Sequence, residues 1–129
     1  MTTKSSTVLI IDDDADIREL LRIVLEGEGY RVSLAADGLD ALQQLRAGAH
    51  PALILLDLVT PRMHGEDFLK QLREGPCAKT PVIIMSGHNA AEKTSNELKV
   101  ACCLPKPVEF EELLKTVKRF IPARSKKGV

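Results

Sequence analysis

The chain has no excess of charge of either sign: 18 lysines and arginines stand against 18 aspartates and glutamates. No global field therefore points to nucleic acid or an anionic membrane as a partner. Cysteine is scarce. Cys77, Cys102 and Cys103 form an odd set without metal-ligand spacing, and two of them are adjacent. That pattern argues against a disulfide framework and reads as small buried apolar residues in a reducing compartment. No apolar run approaches the roughly 20 residues needed to cross a bilayer. Met1 to Thr7 is polar and lacks the apolar centre of a secretory signal. A cytoplasmic protein is expected.

What is present fits one domain: 129 residues, 44% hydrophobic and 28% charged. Residues 1–7 and 122–129 read as flexible tails, the second of them basic, around a domain over 8–121. Val8–Ile11 is a short, continuous apolar run bounded by acids, as in a strand buried on both faces. Asp14 can cap a helix whose apolar positions are Ile17, Leu20, Leu21, Val24 and Leu25, ended by Gly27 and Gly29. Tyr30–Ala35 reads as a second strand. A helix capped by Asp37 and stopped at Gly48 follows it.

Ala52–Leu56 is the strongest strand signal and runs directly into Asp57. A helix over Glu66–Arg73, a strand over Pro81–Met85 ending at Ser86, and a loosely anchored helix near Ala90–Leu98 come next. A short strand over Ala101–Leu104 precedes a last helix whose stripe is Phe110, Leu113, Leu114, Val117, Phe120 and Ile121. Alternating strands and amphipathic helices imply an α/β fold: a doubly wound, five-stranded parallel sheet with five helices.

Ligands of such sheets bind at the carboxyl ends of the strands. There this sequence places Asp12 and Asp13 after the first strand, Asp57 after the third, Ser86 after the fourth and Lys106 after the fifth. Taken singly, Asp12–Asp14 reads as an ordinary acidic helix start, Ser86 as a turn residue and Lys106 as a surface lysine. Asp57 is harder to dismiss, because a carboxylate ending a buried run must be solvated or paired. Together they make a site. Three carboxylates in one crevice repel unless a cation joins them, and magnesium is commonly held by carboxylates, water and a phosphate oxygen. A lysine and a hydroxyl add the means to pair with a phosphoryl group.

At these positions the sequence resembles the response-regulator receiver domains of two-component signalling. The resemblance spans Val8 to Ile121 and rests on four stretches in order: Val8–Asp14, Leu53–Gly65, Pro81–Gly87 and Leu104–Pro107. It implies a flavodoxin-like sheet of order 2-1-3-4-5 and a phosphoacceptor at Asp57. It also implies a magnesium site at Asp12, Asp13, Asp57 and the Val59 carbonyl, with Ser86 and Lys106 as switch hydroxyl and ionic partner. The Lys106–Pro107 bond is expected to be cis. A sensor histidine kinase or phosphotransfer protein is the implied donor, and the output an unidentified protein bound over the 90–98 helix, the fifth strand and the last helix.

Cys103 departs from the family's usual aromatic residue, which puts the usual aromatic switch in question. His64 replaces a common acid or asparagine, while His88 and Val59 are placed to tune phosphoryl lifetime. A phosphorylation-independent binding module of the same fold is the alternative. An aspartate-nucleophile phosphatase would carry an acid at Val59. A flavin mononucleotide carrier would not place three aspartates where its phosphate binds.

Overall fold

A computed structural model of the protein describes residues 7–58, 63–86 and 100–121. Five strands form one parallel sheet: β1 (Thr7–Ile11), β2 (Arg31–Ala35), β3 (Leu53–Asp57), β4 (Val82–Ser86) and β5 (Cys102–Pro105), in the order β2-β1-β3-β4-β5. Four helices are described: α1 (Ala15–Gly27), α2 (Gly38–Arg46), α3 (Gly65–Arg73) and α4 (Phe110–Phe120). The helix expected near Ala90–Leu98 lies outside the described residues. Strand order reverses between β1 and β3, which share the pairs Val8–Leu53 through Ile11–Leu56.

The continuous apolar runs follow from helices on both faces. Alternate residues of a strand point to opposite sides. Val8 and Ile10 of β1, Leu53 and Leu55 of β3, and Ile83 and Met85 of β4 pack with Leu21 and Leu25 of α1 and Leu113 and Val117 of α4. Their neighbours Leu9, Ile11, Ile54, Leu56, Val82 and Ile84 pack with Leu42 and Leu45 of α2 and Phe68, Leu69 and Leu72 of α3. Every residue of β3 is buried.

Local chemistry sets the helix ends. Asp14 caps α1, its Oδ1 accepting from the Asp16 and Ile17 amides at 2.9 and 3.3 Å. Asp37 caps α2 through the Asp40 amide at 2.9 Å. Gly29 and Gly48, at φ 96° and 110°, turn the chain after α1 and α2 in a region that other residues rarely adopt. Gly65 answers a different demand: a Cβ there would lie 2.8 Å from the Leu58 Cα.

Three expectations change. Leu20 is 50% exposed and Phe110 42%, so neither belongs to the buried stripe of its helix. Leu20 stands at the flank of an arc centred between Ile17 and Leu21. In α4 the buried arc instead takes in Leu113, Val117 and the polar Thr116, whose hydroxyl donates to the Glu112 carbonyl at 2.8 Å. Cys77 is buried, but Cys102 and Cys103 are only half-buried, and all three thiols are free.

Candidate functional site

The site is assembled at the switch in strand order. Asp12 directly follows β1 and is fully buried, while Asp57 closes β3 and is 7% exposed. Asp13, at the start of the loop before α1, is exposed. One oxygen from each of Asp12, Asp13 and Asp57 lies within 4.8 Å of the other two. The β1–β3 pairing accounts for this convergence: with Ile11 opposite Leu56, the next residue of each strand emerges at one edge.

Lys106 enters from the other side, carried by the end of β5. Its Nζ lies 3.0 Å from Asp12 Oδ2 and 3.2 Å from Asp57 Oδ2, bridging the two acids. Burial alone would push the ammonium down, but the hydrogen bond and charge of Asp12, with the charge of Asp57, outweigh it and hold the group above the ordinary lysine value. Lys106 is therefore a fixed positive charge at any physiological pH. The Lys106–Pro107 bond is cis.

Asp12 is anchored at several atoms. Its Oδ1 accepts from the Asp14 amide at 2.9 Å, its own amide donates to the Ala35 carbonyl at 3.2 Å, and its carbonyl accepts from Arg18 Nη1 at 2.7 Å. Arg18 is a contributor that the sequence reading misses. It stands one turn into α1, in a run where an arginine looks like ordinary surface charge, and no spacing rule marks it.

Ser86 ends β4 with its backbone opposite Pro105, next to Lys106 in sequence. Its side chain, and Val59 and His88 entirely, lie outside the described residues. His64 precedes α3 without capping it through its side chain. Cys103 packs beside the cluster that contains Ile84 and Leu56.

As chemistry, the arrangement is a cluster of three carboxylates, two of them bridged by one ammonium and the third exposed. The donors are hard oxygens, suited to a cation such as magnesium that keeps part of its water shell and unsuited to a soft metal.

Comparison with known proteins is consistent with this geometry. Residues 8–118 match the family model of the response regulator receiver domain. The chain is 36% identical over 118 residues to the transcriptional regulatory protein CpxR homolog of Haemophilus influenzae, covering 90% of this chain and 50% of that protein. It is 34% identical over 119 residues to the response regulator MprA of Mycobacterium tuberculosis, with coverage of 91% and 51%. The chain thus spans about half the length of these curated relatives. Among solved structures, the chemotaxis protein CheY4 of Vibrio cholerae superposes with a TM-score of 0.83 at 30% identity, over 92% of this chain and all of that one. A response regulator from Chloroflexus aurantiacus gives 0.82 at 35% identity, over 91% and 98%.

Proposed function

Because the chain belongs to the response regulator receiver domains, we propose that Asp57 accepts a phosphoryl group from a phosphohistidine, in a magnesium-dependent reaction. The donor is a sensor histidine kinase or a phosphotransfer protein. The observation that carries this reading is the meeting of Asp12, Asp13 and Asp57 oxygens within 4.8 Å, with Lys106 spanning Asp12 and Asp57.

In this reaction the P–N bond to the donor imidazole breaks, a P–O bond to an Asp57 carboxylate oxygen forms, and the imidazole nitrogen takes up a proton. No electrons change hands. Asp12, Asp13 and Asp57 would hold the ion together with the Val59 carbonyl. When bound, magnesium offsets the charge that spreads over the phosphoryl oxygens. Lys106 would pair with the phosphoryl group once Asp57 carries it, and the Ser86 hydroxyl would donate a hydrogen bond to it. An in-line donor needs an open approach to Asp57, and Asp13 is the exposed member of the three acids.

The domain is assigned to residues 8–121, with tails before and after it. The output is a protein-binding surface around the 90–98 segment, β5 and α4, in a cytoplasmic setting. No described helix is long and apolar enough to cross a membrane. A phosphorylation-independent binding module is the second reading, favoured by one feature: half-buried Cys103 stands where the family's switch uses a large aromatic.

The two separate in one experiment. Incubated with a small acyl phosphate and magnesium, the protein should gain one phosphoryl group by mass spectrometry, and Asp57→Asn should gain none. Labelling that is absent, or that persists in Asp57→Asn, removes Asp57 as the acceptor.

A further inference from the structure

The three acids are not equally restrained. Asp12 is held through both carboxylate oxygens, by the Asp14 amide and by Lys106, and Asp57 is held by Lys106. Among the described residues, the Asp13 carboxylate has no hydrogen bond or ion pair of its own. What aims it, among the described residues, is its backbone. The peptide that joins Asp12 to Asp13 is fixed at one atom beyond the strand: its carbonyl accepts from Arg18 Nη1 at 2.7 Å, short for a nitrogen donor and typical of a charged one. Arg18 is itself set by helix α1, its amide bonded to the Asp14 carbonyl at 3.0 Å, and Asp14 caps that helix. The clamp therefore closes a ring: Asp14 starts the helix, the helix carries Arg18, and Arg18 returns to the peptide before Asp13.

We infer that Arg18 is a positioning residue for the metal-binding acids: by holding the Asp12–Asp13 peptide, it directs the Asp13 carboxylate toward Asp12 and Asp57. This rests on the metal-dependent reading of the pocket and adds to it a residue that touches neither ion nor phosphoryl group. A guanidinium beside a cation site opposes the cation by charge alone, so its removal should strengthen magnesium binding if charge is all it contributes. If it positions Asp13, removal weakens binding. The two roles predict opposite signs.

Calorimetric titration of magnesium chloride into the unphosphorylated chain reads that sign without any phosphoryl transfer. Arg18→Met should bind magnesium about tenfold more weakly, at the low end for loss of a group that orients a metal ligand. Arg22→Met is the charge control. Arg22 is also on α1 but pairs with Glu19 and Glu26 rather than with the acid loop, so its variant should bind as the parent does or slightly more tightly. Circular dichroism establishes that each variant is folded, and Arg18→Gln replaces Arg18→Met if the latter is not.

Parent-like or tighter binding in a folded Arg18 variant overturns the positioning role while leaving the pocket's metal reading intact. A parent chain that takes up no magnesium, or that loses none of its affinity in Asp57→Asn, overturns both.

Discussion

Replacing Lys106 by methionine tests whether the acid pocket depends on its internal cation. Methionine keeps the length of the aliphatic stem, which lines a groove with Ile17, Leu21 and Pro107, and removes only the charge. Two carboxylates, one fully buried and one nearly so, then face each other without the ammonium that now lies 3.0 and 3.2 Å from them. Stripping one partner from a buried pair costs about 3–5 kcal/mol. The lysine side chain is 26% exposed and the Asp13 side of the pocket is open, so solvent screens part of the loss. A destabilisation of about 2 kcal/mol is expected.

Magnesium should reverse it. A ligand at one hundred times its dissociation constant adds about 2.7 kcal/mol to the folded state. In Lys106→Met no ammonium competes for Asp12 Oδ2 and Asp57 Oδ2, so the ion should stabilise the variant more than the parent. The assay is urea unfolding with and without magnesium chloride, followed by far-ultraviolet circular dichroism because the chain has no tryptophan to report by fluorescence. A variant as stable as the parent without magnesium, or one that gains no more from magnesium than the parent does, would refute the reasoning.

Two further outcomes follow from the same structure. The Lys106 ammonium is held above its unfolded value, so its contribution is complete below pH of about 10.4 and is lost as pH rises through the folded value. Buried Tyr30, pushed up by desolvation and by Glu28, titrates in the same direction. The parent should therefore lose stability steeply above that pH, and Lys106→Met should lose less; identical alkaline profiles would contradict the assignment. Gly65→Ala places a Cβ 2.8 Å from both the Leu58 Cα and Cδ2, and backbone must move to admit it. A loss of about 1–3 kcal/mol in urea unfolding is expected, with slower phosphorylation because Leu58 adjoins Asp57.

Much of this fold is legible in the chain because buried parallel strands advertise themselves. Val8–Ile11 and Leu53–Leu56 are apolar at every position since each face of the sheet meets helices. The acids at their ends are legible for the same reason, standing where an apolar run stops. What the sequence conceals is of a different kind. Leu20 and Phe110 match helical spacing, yet burial depends on how each helix is rotated on the sheet, which spacing alone does not determine. Thr116 is hidden in the opposite sense: its hydroxyl is satisfied within the helix, so a polar residue sits in the core without penalty. Arg18 escapes because its partner is a main-chain oxygen, and side-chain patterns record nothing about main-chain acceptors.

The mounting of Asp57 has a mechanical consequence. It terminates the middle strand of the sheet, flanked by β1 on one side and β4 on the other, with no solvent-facing residue along its length. A strand paired along both edges and buried on both faces is stiff, so a new charge at its tip has little freedom to relax by shifting the strand itself. The strain passes instead to groups at the tip, among them the Lys106 ammonium 3.2 Å from Asp57 Oδ2, just beyond the end of β5.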